Sequence, residues 1–140
     1  RDEVPALARE FDLANALDDV ISSYSHGMKQ KLSIISALLH DPEVFILDEP
    51  IVGLDPKSAF TLKEKMKERC ADGKTVFFST HVMEVAEKLC DRVGIINHGK
   101  MIAVGPLDEL KARSRSKPAS GDETLERIFL ELTNESAPSA

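Results

Sequence analysis

The sequence predicts an α/β fold: part of a parallel sheet flanked by helices, with a helical segment before it and a β-hairpin and further helices after it. Three observations carry this prediction. The run Val44-Phe45-Ile46-Leu47 is apolar throughout and stops at Asp48-Glu49-Pro50, the pattern of a strand buried on both faces whose end delivers carboxylates to the sheet's edge. Two further short strands, Thr75 to Ser79 and Arg92 to Ile96, follow after helical stretches, and a strand-helix-strand-helix-strand order implies right-handed crossovers and a parallel sheet. At 140 residues the chain is long enough for one ordinary domain with a real core.

The elements follow in order. From Arg1 to Asp19, Val4, Leu7, Ala8 and Phe11 stand at helical spacing and Leu13, Ala16, Leu17 and Val20 continue the pattern, which predicts one or two short helices broken near Asp12. Ile21 to Gly27 supplies hydroxyls and a glycine just before a helix expected from Met28, with Leu32, Ile34, Ile35, Leu38 and Leu39 as its buried stripe and Lys29, Gln30 and Lys31 in its first turn. That helix stops at Asp41-Pro42, because proline disfavours helical geometry in the residue before it.

Asp55-Pro56 reads as the next helix start, with Asp as cap and Pro in the first turn. Ala59, Leu62, Met66 and Cys70 form the expected buried stripe, and Asp72-Gly73 ends it. After the strand at Thr75 to Ser79, Val82, Val85, Ala86 and Leu89 mark another helix. Asn97-His98-Gly99-Lys100 is a turn between the strand at Arg92 to Ile96 and a hairpin partner at Met101 to Val104. A short helix then runs to about Ala112. The composition changes at Arg113, and a capping box at Ser120 and Glu123 opens a last helix with Leu125, Ile128, Phe129 and Leu132 on one face. The polar tail after Asn134 is expected to be disordered.

Charge excludes one class of partner. Twenty-four acidic against 18 basic residues give a formal net charge of -6, the opposite of a polyphosphate-binding surface, so direct nucleic-acid binding is disfavoured. No apolar run reaches the length of a bilayer span and no leader pattern is present, so a cytosolic chain is expected. Cys70 and Cys90 fall in helical apolar patterns and read as small buried hydrophobes, neither metal ligands nor a disulfide.

In order, Tyr24-Ser25-His26-Gly27-Met28, Leu47-Asp48-Glu49-Pro50, Gly53-Leu54-Asp55-Pro56 and Ser79-Thr80-His81 resemble the motifs of the ATP-hydrolysing subunit of an ATP-binding cassette (ABC) transporter of the bacterial exporter type, from its signature motif to its C-terminus. The resemblance implies a P-loop NTPase sheet. It divides the chain into residues 1–43, part of a helical subdomain with the signature helix; 44–112, the C-terminal part of the ATPase core; 113–121, a linker; and 122–140, a C-terminal helix and tail.

Each motif also has a physical reading. A helix N-terminus preceded by Ser and Gly offers N–H groups, a hydroxyl and a positive dipole end to a phosphate. The resemblance assigns nucleotide contacts to Ser25, His26, Gly27 and Met28, with His26 and Met28 departing from the family's commonest Leu-Ser-Gly-Gly-Gln form. A Ser-rich helix cap is the plainer account of this pentapeptide taken alone. Asp48 matches the aspartate that holds Mg²⁺, usually through water, since a hard cation prefers oxygen ligands. Glu49 matches the general base that polarises the attacking water. His81 matches the histidine that contacts the γ-phosphate, although a lone His after a strand is more often structural. Asp55 reads both as a helix cap and as the aspartate linking the two active sites of a dimer. Ile51 and Val52 replace the polar residues common there.

The sequence contains no G-x-x-x-x-G-K-[ST] run, which a phosphate-transfer site needs to cradle the β- and γ-phosphates. The expectation is therefore a C-terminal part of a longer subunit. ATP and Mg²⁺ belong to the full-length context, the 140 residues alone are inactive, and an unpaired apolar sheet edge is hidden by self-association or rearrangement. The implied partners are a second ATPase subunit, head to tail, and a transmembrane permease subunit that holds the protein at the inner face of the cell membrane. Two other readings stay open: a catalytically silent dimerisation or regulatory module, and an ATPase of this type without a transport role.

Overall fold

The computed structural model describes residues 3–113 and 124–135. Two compact units divide the chain, Arg1–Thr80 and His81–Ala140.

In the first unit, α1 (Glu3–Glu10) is followed by two short 3-10 turns and then α2 (His26–Leu39). The break near Asp12 is present: Asp12 adopts φ 55, and the Leu13 N–H donates to the Ala8 carbonyl at 2.7 Å. Leu13 and Ala16 are buried, whereas Leu17 and Val20 are exposed. Tyr24 is buried and donates its hydroxyl to the Ala16 carbonyl at 2.5 Å, which anchors the segment leading into α2. α2 begins two residues earlier than expected, with Ser25 as its cap, and α1 packs against it. It ends before Asp41, whose φ is 44.

β1 (Val44–Leu47) and β2 (Thr75–Phe78) pair in parallel, with Val44 opposite Thr75 and Leu47 opposite Phe78. The crossover between them is α3 (Pro56–Ala71), which packs on β2. Phe45 is buried, but Val44 and Ile46 are 53% and 69% exposed and Phe77 is 65% exposed. The expected burial on both faces is thus corrected to burial on one, because within this unit only one face of the pair is covered. The α3 stripe is corrected too. Ser58, Leu62, Met66 and Arg69 are its buried residues, at spacings of four, four and three, so Cys70 falls off the stripe and is exposed. Arg69 is buried because its guanidinium stacks 5.3 Å from the Phe45 ring centroid, donates to the Pro42 carbonyl at 2.6 Å and pairs with Asp41.

The second unit contains α4 (Met83–Leu89), β3 (Arg92–Asn97), β4 (Lys100–Pro106), α5 (Leu107–Arg113) and α6 (Leu125–Glu135). β3 and β4 form the expected antiparallel hairpin, closed by His98 at φ 48 and Gly99 at φ 74, the consecutive left-handed pair of a type I′ turn. The expected three-stranded parallel sheet is corrected: among the described residues the parallel sheet has two strands, β1 and β2, and β3 hydrogen-bonds to β4. A tight turn makes that local antiparallel partner available at once, whereas a parallel partner requires a long crossover.

Ala86, Ile95, Leu125 and Ile128 form the core of this unit, with Phe129 and Leu132 packed against it, as the apolar face of the last helix predicts. The expected capping box at Ser120 and Glu123, most of the linker and the tail lie outside the described residues. Glu87 accepts from the Leu125 N–H at 2.9 Å and so satisfies one free donor at the start of α6.

Candidate functional site

The acidic pair is placed by the register of the parallel strands. Leu47 stands opposite Phe78, so the next residues, Asp48 and Ser79, emerge side by side at the C-terminal end of the sheet. The Ser79 N–H extends the ladder by donating to the Leu47 carbonyl at 3.0 Å. The Ser79 hydroxyl donates to Asp48 Oδ1 in a short contact and accepts from the Glu49 N–H at 3.0 Å. Glu49 itself sits at φ 43, a left-handed conformation uncommon for a non-glycine residue and concentrated at functional sites. The next residue, Pro50, is fully buried, and the Val52 N–H donates to the Glu49 carbonyl at 3.1 Å.

These carboxylates offer hard oxygen donors. Among the described residues no group of three or more His, Cys, Asp or Glu side chains is placed to hold a metal ion. That donor set does not suit a closed structural site. It fits Mg²⁺, which keeps several waters and takes one or two carboxylates together with substrate phosphates.

A second cluster joins the start of α2 to the loop after β1. Ser25 caps α2 by accepting from the Met28 N–H at 3.2 Å, which leaves its hydroxyl proton as a donor. Gly27 approaches the loop so closely that a Cβ there would lie 2.9 Å from the Gly53 carbonyl oxygen. Gly53 in turn has φ 81, and a Cβ on it would meet His26 Cδ2 at 3.3 Å. Both positions therefore require glycine, the first for close approach and the second for its backbone conformation as well.

One turn further along α2, Lys31 Nζ lies 2.6 Å from Asp55 Oδ2. Asp55 caps α3 by accepting from the Ser58 N–H at 2.9 Å, and also accepts from the Ser58 hydroxyl at 2.8 Å. The Lys31 ammonium, then the Ser58 amide and hydroxyl, hold the Asp55 carboxyl well below the usual carboxylate range.

The structure thus brings Asp48 and Glu49 together through Ser79, and brings His26 and Gly27 against Gly53 of the loop that leads to Asp55, while Ser25 and Met28 meet in the cap of α2. His81 is exposed and opens the second unit. Sequence reasoning assigned no role to three residues here. Lys31 had a legible signal: it stands three, four and seven residues before Ile34, Ile35 and Leu38, on the buried stripe, where a lysine requires a partner. Ser58 stands three residues after the cap, at the spacing of a capped donor. Ser79 was read only as part of the Ser79-Thr80-His81 motif, and its own role comes from strand pairing, which no local pattern shows.

A family profile described as "ABC transporter" matches residues 1–52. The ABC-type transporter ATP-binding protein EcsA of Bacillus subtilis is 39% identical over 134 residues, covering 96% of this chain and 53% of that protein. The linearmycin resistance ATP-binding protein LnrL of the same species is 45% identical over 101 residues, 72% of this chain and 32% of its own length. The Nod factor export ATP-binding protein I of Rhizobium meliloti is 42% identical over 102 residues, 73% of this chain and 30% of its own. A solved structure of an ATP-binding subunit of an ABC transporter matches with a TM-score of 0.85 at 37% identity, over 94% of this chain and 53% of that one. The chain spans about half the length, or less, of the relatives it matches.

Proposed function

The chain belongs to the ATP-binding subunits of ABC transporters, and on that footing we propose that it carries the hydrolytic carboxylates and the signature segment of a subunit that couples ATP hydrolysis to solute transport through a transmembrane partner. The observation that carries this reading is the parallel register of β1 and β2, which delivers Asp48 and Glu49 together at the C-terminal end of the strands, where open α/β sheets bind their ligands.

In this reading Asp48 is the residue that would hold Mg²⁺; when bound, the ion neutralises charge on the nucleotide phosphates. Glu49 accepts a proton from the attacking water as general base, and His81 contacts the γ-phosphate and helps orient that water. Ser25, His26, Gly27 and Met28 face nucleotide held by the opposite subunit of a head-to-tail dimer, and Asp55 links the two sites. No helix among the described residues is long and apolar enough to cross a membrane. The proposed location is the inner face of the cell membrane, on a transmembrane partner.

Isothermal titration with ATP and Mg²⁺ tests the division of labour. The 140 residues lack the glycine-rich lysine loop and are expected to show no saturable binding, whereas the complete subunit binds. Saturable binding by the 140 residues alone would contradict the reading.

A further inference from the structure

We propose that Ser79 is a positioning residue for the acidic pair, its hydroxyl fixing both the carboxylate of Asp48 and the backbone of Glu49. The proposal rests on reading those two residues as the cation-holding and proton-accepting groups. One oxygen, Ser79 Oγ, serves the two consecutive residues that follow the neighbouring strand: it donates to Asp48 Oδ1 and accepts from the Glu49 N–H at 3.0 Å. A hydroxyl is the smallest side-chain group able to do both at once.

The geometry gives each bond a separate consequence. With Oδ1 tied to Ser79, the other oxygen of Asp48 is the one presented to a hydrated cation, so the carboxylate meets its ligand in one orientation. The Glu49 amide is held where the chain turns to φ 43, a conformation that persists only where its surroundings enforce it. That turn ends the extended run of β1, in which successive side chains point to opposite faces, and so sets the direction of the Glu49 side chain relative to Asp48. Ser79 itself is anchored by its own N–H on the Leu47 carbonyl at 3.0 Å, so the hydroxyl is carried by the sheet and not by a loose loop.

The test uses the complete subunit with Mn²⁺ as probe, its binding followed by electron paramagnetic resonance beside a non-hydrolysable ATP analogue, and ATP turnover measured in parallel. Ser79→Ala is expected to weaken Mn²⁺ binding by about tenfold, the loss of one hydrogen bond to a charged group, and to lower kcat more than it raises KM for ATP. Ser79→Thr, which keeps the hydroxyl, is expected to restore both. Should Ser79→Ala fail to fold, Ser79→Cys keeps the shape with only a weak donor and is expected to show the same loss. Wild-type Mn²⁺ affinity in a folded Ser79→Ala or Ser79→Cys subunit would overturn the role of Ser79 and leave the ATPase reading intact. Equal loss in the Ala and Thr variants would overturn it as well. A wild-type subunit that holds no Mn²⁺ with the nucleotide analogue would remove the ATPase reading, and this proposal with it.

Discussion

Lys31 and Asp55 form an ion pair of 2.6 Å that ties the buried face of α2 to the cap of α3. The two partners are unequal, since the Lys31 side chain is 11% exposed and that of Asp55 41%. Asp55 also serves the Ser58 amide and hydroxyl. Lys31→Met keeps most of the apolar stem and leaves a solvated carboxylate, so it is expected to cost on the order of 1 kcal/mol or less. Asp55→Ala removes the cap, about 1 kcal/mol by itself, and strands a buried ammonium, so its cost is expected to exceed that of Lys31→Met. Urea unfolding of the two variants decides the order; a larger loss in Lys31→Met would contradict this view of the pair.

The same carboxylate predicts a pH dependence. Asp55 is held below its ordinary value by Lys31 and Ser58, so its folded pKa is depressed relative to the unfolded chain. Its stabilisation is therefore fully present above the unfolded pKa of about 4 and lost as pH falls from there toward the folded pKa. The stability gap between wild type and Asp55→Asn is expected to be level between neutral pH and about pH 5, then to narrow toward pH 3. Urea midpoints across that range check it, and a gap that widens on acidification would refute it.

Gly27 and Gly53 give a steric prediction. The atom facing Gly27 is a backbone carbonyl oxygen at 2.9 Å from a built Cβ, so a methyl group there must push the loop away. Gly27→Ala is expected to destabilise the fold by about 1–3 kcal/mol and to impair turnover in the complete subunit by pushing the start of α2 away from the loop that leads to Asp55. Thermal unfolding and steady-state turnover measure the two effects, and a Gly27→Ala subunit unchanged in both would show that the close approach has no consequence.

The fold class and the acidic pair were legible because their signals are local. An apolar run that ends in Asp48-Glu49 marks a strand end, and Asp55-Pro56 marks a helix start, whatever surrounds them. Burial was less legible, because it depends on what covers a face: Ile46 and Phe77 stand opposite each other and are both exposed, although their sequence reads as core. Arg69 occupies a stripe position by stacking on Phe45, which displaces Cys70 from the expected place. Lys31 was readable in principle, as a charge at an apolar position. Ser79 and Glu87 were not, since each finds its partners through tertiary pairing.

Glu49 is the proposed general base of an ATP-hydrolysing subunit, and its carboxylate gives the most direct test. Glu49→Gln keeps the size and the backbone hydrogen bond to Ser79 and removes only the proton acceptor. In the complete subunit at saturating ATP and Mg²⁺, nucleotide affinity is expected to stay close to wild type and turnover to fall by about a hundredfold or more. Wild-type turnover in the Glu49→Gln subunit would contradict it.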